Sequence, residues 1–235
     1  MSSPQRLART AGAYYLVVAV LGAFAHLVRG QVFVPDDAAV TAANVVANAT
    51  LVRLSFVADL VQATFFLLVV LTLYRLLQHV NKDLARAMVA LVMIAVAIIC
   101  LNLVHQLGAL LVATEPAYAG AFGPEGTDAT VLLLLDLQHY GYLIAQIFFG
   151  LWLFPLGILA YRSGLFPRPL GVLLMAGAVA YVTDSALQFL APGLAGALNP
   201  VIVVLVTLSE VSMLGYLLIR GVRTRPSADR VLVAA

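Results

Sequence analysis

Charged side chains are scarce in this 235-residue chain. Asp, Glu, Lys and Arg make up 10% of it, against 63% hydrophobic residues, where a soluble domain carries roughly 25% charged residues. With a mean hydropathy of +1.03, water is not its main solvent. A net charge of +2, with no basic run, leaves no electrostatic footprint for nucleic acid. Cys100 is the single cysteine, which excludes an intrachain disulfide and a cysteine-based metal site. Inside an apolar run, it is expected as a buried, inert thiol. A phosphate-cradling glycine loop, His-Glu-x-x-His and Gly-x-Ser-x-Gly are all missing, as is the arginine-rich helix of a voltage sensor.

Long apolar runs are what the chain has. Six are long enough for the roughly 30 Å hydrocarbon core: residues 7–28, 51–77, 84–113, 130–160, 170–190 and 200–219. Backbone polar groups in lipid must be satisfied within their own segment, and barrel-strand alternation is absent, so these runs read as helices. The expected fold is all-α: one integral membrane bundle of about six transmembrane helices, with no room for a second domain. Gly150, Pro155 and Gly157 predict a kink or tilt in the long fourth run. Asn199 before Pro200 reads as the start of the sixth.

The basic residues set the expected sidedness. Arg6, Arg9, Arg75, Lys82, Arg86, Arg162, Arg168, Arg220, Arg223, Arg225 and Arg230 fall on one side, eleven of the 13 Lys and Arg. Arg29 and Arg53 fall on the other, with Asp36, Asp37, Glu115, Glu125 and Asp128. The positive-inside bias makes the first side, with both termini, cytoplasmic. Arg6 and Arg9, an apolar run and then Ala23-Phe24-Ala25 also fit a cleaved signal peptide, which would leave the later spans unchanged.

The longest connection, residues 29–50, is then external. Asp36 or Asp37 can cap a short helix through Asn48, on which Thr41, Asn44 and Asn48 form a polar stripe. It reads either as an interfacial helix solvating the membrane edge or as a lid over the bundle. Asn48-Ala49-Thr50 matches a glycosylation sequon, a pattern common by chance. Residues 115–128, rich in Gly and Pro, read as irregular. Arg86, Met93, Asn102 and Gln106 recur at constant offset as Arg168, Met175, Asp184 and Gln188, which suggests a parallel two-helix repeat or the coincidence of two apolar helices.

The polar residues inside the spans segregate by depth. His26 and Arg29 lie at the outer end of the first span. Arg53 opens the second, with Asp59 and Gln62 further in. Asn102, His105 and Gln106 lie in the third, Asp136 and His139 at matching depth in the fourth with Gln146 deeper, Asp184 and Gln188 in the fifth, and Glu210 in the sixth near the midplane. The cytoplasmic halves are almost entirely apolar, so the polar set is expected around one cavity in the outer half. Each carboxylate at a helix centre costs about 2.5–3.5 kcal/mol, so Asp59, Asp136, Asp184 and Glu210 facing lipid would cost on the order of 10 kcal/mol together, against a typical stability of about 5–15 kcal/mol. They are expected to face inward, pair or hold a proton.

Asp136 and His139 share a helix face at i, i+3, as do Asn102, His105 and Gln106. Three readings stand: a carboxylate–imidazole acid–base pair drawn from Asp136, His139, His105 and Asp184; a metal site of His105, His139 and Asp136 or Asp184; and a hydrogen-bonded network holding helices together. His79, beside Asn81, Lys82 and Asp83, reads as surface.

Several strings in order carry a resemblance: Val34-Pro35-Asp36-Asp37-Ala38-Ala39 followed by Thr41-Ala42-Ala43-Asn44; Tyr74-Arg75-Leu76-Leu77 leading into Val80-Asn81-Lys82; Phe148-Phe149-Gly150 ahead of Tyr161-Arg162-Ser163-Gly164; then Pro167 and Leu170-Gly171-Val172-Leu173-Leu174. Together they resemble the bacterial domain-of-unknown-function 4386 family over nearly the whole chain. Asp37 stands where that family has the second residue of a Gly-Asp pair. The resemblance implies a bacterial plasma-membrane protein whose outer-loop helix is part of the shared design, and it supplies no activity or cofactor. From the residues, the leading expectation is binding or processing of a lipid or hydrophobic small molecule. A proton-coupled transporter and a non-enzymatic sensor or partner subunit are the alternatives; the sequence names no protein partner.

Overall fold

The computed structural model describes residues 3–223. Arg225 and Arg230 of the basic set lie outside the described residues. The chain forms α1 (Pro4–Val32), α2 (Ala38–Ala47), α3 (Ala49–Leu77), α4 (Lys82–Thr114), α5 (Pro116–Ser163), α6 (Arg168–Leu190) and α7 (Pro192–Ile219). All but α2 are long and apolar enough to cross a membrane. They pack in chain order into a ring, α1 on α3, α3 on α4, and so on to α7, which returns to α1. Short connections make sequence neighbours antiparallel partners. One end of the bundle carries Arg6, Arg75, Lys82, Arg162, Arg168 and Arg220; the opposite end carries α2.

Local chemistry sets the helix ends. Ser3 accepts from the Arg6 N–H ahead of Pro4 at the first helical position. Asn81 accepts from the N–H groups of Asp83 and Leu84. Gly164, at φ 68°, ends α5 in the left-handed region. Asp37, not Asp36, caps α2, its Oδ1 accepting from Val40 N at 3.0 Å.

Four expectations are corrected. First, α7 begins at Pro192, so Asn199 and Pro200 lie inside the helix; Pro192 fills the first-turn place that Pro200 was assigned. Second, residues 116–128 are helical, interrupted at Gly123 with φ 68° and ψ 171°. Third, the non-helical backbone within α5 falls at Gly123, while Pro155 lies inside the helix. Gly150 and Gly157 serve close packing against α6, where an added Cβ would lie 2.7 Å from Tyr181 Cβ or 2.8 Å from the Gly171 carbonyl. Fourth, Cys100 is exposed on α4, so within a span its thiol faces lipid.

The polar stripe of α2 turns inward. Thr41 is fully buried, and its hydroxyl donates to Val34 O and accepts from Val34 N. Asn44 donates to Val32 O and Asn48 to Asn44 O. Thr41 and Asn44 therefore satisfy carbonyls where α1 ends, and α2 buries Ala42 and Val45 against the bundle.

Buried apolar side chains form two clusters. The larger fills the arginine-rich half, with Leu73, Leu77, Met88, Leu153, Leu156, Leu159, Leu174 and Leu217 almost wholly inaccessible. The smaller lies under α2, around Val45, Val52, Ala109 and Leu135. Replacing Gly157 by Leu should drive a side chain into the Gly171 backbone and cost about 1–3 kcal/mol or more. Gly193→Ala, with open space around it, should leave stability unchanged or slightly raised. Thermal unfolding in detergent separates the two.

Candidate functional site

A cavity of about 710 Å³ lies between the two clusters, lined by α1, α3, α5, α6 and α7, with Val45 of α2 and Gln106 and Ala109 of α4. Its base is aromatic and apolar: Phe66, Phe149, Trp152 and Leu214. Phe66 and Trp152 pack edge to face, centroids 5.2 Å apart, and Trp152 is 1% exposed. Beneath them the larger cluster closes the bundle.

Three polar groupings belong to this cavity. The first is an ion pair: Arg29 Nη1 donates to Asp59 Oδ2 at 2.5 Å, with the two side chains only 16% and 4% exposed. The Arg29 guanidinium also lies 5.3 Å from the Tyr142 ring centroid, a cation–π contact that steadies a charge held in low dielectric. Arg29 lines the cavity; Asp59, buried on α3, holds it from behind.

Glu210 of α7 forms the second. Its Oε2 accepts from the Tyr15 hydroxyl of α1 at 2.9 Å, and the Tyr181 hydroxyl of α6 faces the same carboxyl. Three helices therefore meet at one acid. Asp184 forms the third: its Oδ2 accepts from Gln146 Nε2 at 2.8 Å, whereas its buried Oδ1 has no partner among the described residues. Tyr181 and Asp184 stand three residues apart on α6, hence on one face.

The cavity opens sideways. Toward the arginine-rich end α1 and α7 are in contact: an added Cβ on Gly12 would lie 2.9 Å from Leu218 N, and Gln5 bonds Arg220 O and Val222 N. Beyond Tyr15 and Glu210 the helices part. Ala19, Ala23 and His26 of α1, and Val203 and Thr207 of α7, both line the cavity and are exposed. An opening thus lies along the seam between the first and last spans, and His139 of α5 also lines the cavity and is exposed.

Of the residues singled out from sequence, Gln62, Gln106, His139, Asp184, Gln188 and Glu210 line the cavity, and Asp59 reaches it through Arg29. His139 stacks on Phe33, centroids 5.8 Å apart. Asn102 is buried but turned to α5, donating to Gln138 O at 2.7 Å. It is tucked against Gly141, where a Cβ would collide with its amide. His105 pairs with Asn102 Oδ1 and does not line the cavity; neither does Asp136. Among the described residues, no three His, Cys, Asp or Glu side chains form a group able to hold a metal, so the set His105, His139 and Asp136 does not assemble. Arg53 is exposed and borders a separate cleft of about 290 Å³ between α3 and α4.

Sequence reasoning missed the aromatic walls: Tyr15, Tyr142, Trp152 and Tyr181. An aromatic residue in an apolar span is ordinary, and only helix facing distinguishes these four. Asp184 and Glu210, marked out by the cost of burying charge, could have pointed to phenols one turn away or on a neighbouring helix.

The profile described as Domain of unknown function (DUF4386) matches residues 10–221. A protein of Archaeoglobus fulgidus described as "Uncharacterized protein" is 44% identical over 46 residues, which cover 20% of this chain and 28% of that protein. This short local match carries no argument about function. No solved structure matches.

Breaking a buried ion pair from one side is worse than removing both charges. Arg29→Met alone leaves Asp59 buried without its cation and should cost about 3–5 kcal/mol. The double variant Arg29→Met/Asp59→Leu should recover much of that loss in thermal unfolding. Equal instability of the single and double variants would mean that the pair does not act as a unit.

Proposed function

Because the chain belongs to the domain-of-unknown-function 4386 family, whose description assigns no reaction, we propose its function from the cavity: the protein holds a lipid or other amphiphilic small molecule drawn from the surrounding bilayer. The observation that carries this reading is the seam between α1 and α7, which joins a polar-lined cavity directly to the lipid-facing surface. The volume of about 710 Å³ falls in the usual range for small-molecule sites, about 300–1,000 Å³. Its walls pair apolar surface for a tail with a few fixed polar groups for a head, which is how such sites combine affinity with orientation.

Transport is the weaker reading. A solute would have to pass Phe66, Phe149 and Trp152 and then a half-bundle of packed Leu, Met and Val side chains. An acid–base reaction drawn from Asp136, His139, His105 and Asp184 has less support than binding: only His139 and Asp184 line the cavity, and Asp184 is bonded by the Gln146 amide, not by an imidazole. Asp184 stays available as a polar contact within the bound state.

We further place the α2 end outside a bacterial plasma membrane, with both termini cytoplasmic. The support is charge asymmetry, since the basic residues of the connections gather at the opposite end. In a Cys100→Ala background, a cysteine at Ala38 should react with an impermeant maleimide in intact cells, and one at Lys82 only after lysis. The opposite pattern would invert the orientation.

Occupancy is tested by gentle purification and native mass spectrometry. A retained small molecule is expected on the wild-type protein. Val203→Trp, which fills the seam from α7, should lower retention about tenfold, close to 1.4 kcal/mol of binding energy, while leaving the unfolding temperature nearly unchanged. A wild-type protein that carries nothing and takes up no amphiphile would overturn the proposal.

A further inference from the structure

Three features of the cavity wall point to the head group it would accept. The first is a charge imbalance. Asp184, Glu210 and Arg29 line the cavity, but Arg29 is already committed to Asp59 and to the Tyr142 face. Arg29 is the only Lys or Arg among the described lining residues, so neither acid has a lysine or arginine of its own; the two lining imidazoles are His26 and His139.

The second is an unmet acceptor. Glu210 receives a hydrogen bond from the Tyr15 hydroxyl, which orients a carboxyl without neutralising it. Asp184 is 3% exposed, and one of its oxygens is bonded by a neutral amide. The other, Oδ1, is buried with no donor among the described residues. A buried acceptor left open is costly, and here it belongs to a residue that lines the cavity.

The third is the surface around these acids. Tyr15, Tyr181, Phe149 and Trp152 line the same space. Aromatic faces attract cations and, grouped, form the cages that recognise quaternary ammonium ions. An inorganic cation such as Ca²⁺ would instead need six to eight oxygen ligands. Among the described residues no group of three acidic or imidazole side chains supplies even a start on such a set.

Resting on the reading of this cavity as an amphiphile site, we propose that it selects an organic ammonium: a single-chain cationic amphiphile whose head sits between Asp184 and Glu210, against Tyr15, Tyr181 and Trp152, with its tail along the α1–α7 seam. The head contributes the missing cation, and the seam lets the tail stay in contact with lipid. An anionic head would meet two acids and one arginine already paired, so the site discriminates by sign as well as by shape.

Trp152 is the single tryptophan of the chain and lies at the cavity base, so its emission reports occupancy directly. The protein in nanodiscs of neutral lipid is titrated with three decyl-chain amphiphiles that carry a trimethylammonium, a hydroxyl or a sulfate head. The ammonium compound should bind at least about tenfold more tightly than the alcohol, and the sulfate most weakly. Asp184→Asn and Glu210→Gln should each reduce the ammonium preference toward unity while leaving the alcohol's affinity in place. Equal binding of ammonium and alcohol by the wild-type protein would overturn the ammonium proposal and leave the amphiphile reading standing. No response to any of the three would overturn both. A preference that survives in both variants would show that these acids do not read the head, and displacement of the ammonium by sodium at constant ionic strength would reassign the site to an inorganic cation. The wild-type comparison decides the matter even if a variant fails to fold.

Discussion

The hydrogen bond from Tyr15 to Glu210 is where the ring of spans closes. α1 and α7 are the first and last spans, and no loop joins them. Every other neighbouring pair in the ring is tied by a connection as well as by packing. The seam between chain ends therefore depends on side chains alone: Gly12 against Leu217 and Leu218, Gln5 on the backbone of Arg220 and Val222, and Tyr15 on Glu210. Below that bond the helices are packed; above it they part and the cavity opens. Since α6 contributes Tyr181 to the same acid, one carboxyl sets how far three helices approach one another. A bundle sealed along its whole length would have no need of a carboxyl there.

Lipid makes such an arrangement strict. Water cannot rescue a misplaced polar group in the hydrocarbon core, so each must find a protein partner or meet a ligand. Most do. Asn102 takes up the Gln138 carbonyl, Gln106 reaches Val52 O and Ser55 Oγ, and Arg29 and Asp59 satisfy one another. These contacts hold the α3, α4 and α5 side of the ring rigid. The buried polar atoms left without a partner among the described residues are Gln106 Oε1 on α4, Thr127 Oγ1 on α5, and Asp184 Oδ1 and Ser185 Oγ on α6; of these residues Gln106 and Asp184 line the cavity. Unmet polar atoms thus occur on the cavity wall from both α4 and α6.

Much of this was legible in the residues. The six spans followed from hydropathy, because length and apolarity are what a bilayer demands. An aspartate cap before the helical stripe followed from the sequence as Asp36 or Asp37, and the structure assigns it to Asp37. The crowding of acids, amides and imidazoles toward one end followed from the cost of burying charge. What was not legible depended on facing. Asp136 and His139 share a helix face in sequence terms, yet only His139 lines the cavity, since a spacing of three residues does not fix which part of that face meets the cavity. His105 looked like half of a histidine pair and instead bonds Asn102 one turn away. Asn199-Pro200 had the form of a helix start, but Pro192 had already supplied one, and nothing local tells which proline comes first in a folded helix. Cys100 shows the same limit: an apolar run identifies a span but not which of its faces meets lipid.

The apolar half of the bundle bears on why polarity sits where it does. Carboxyls near the midplane of a membrane are often read as steps on a proton or ion path, which requires polar groups on both sides of the centre. Here the series stops at Glu210. Beyond it lie Trp152, Phe149 and Leu214, then Leu153, Leu156 and Leu217, buried and tightly packed. A polar series that ends at an aromatic floor supports the proposed reading, in which an occupant enters and leaves by the same side. Lateral opening between the chain ends fits that geometry, since α7 can shift against α1 without stretching any loop between them. Glu210 then has two structural duties at once: its tyrosine partners fix the lower limit of the opening, and its position at the cavity base makes it the last polar group an occupant can reach.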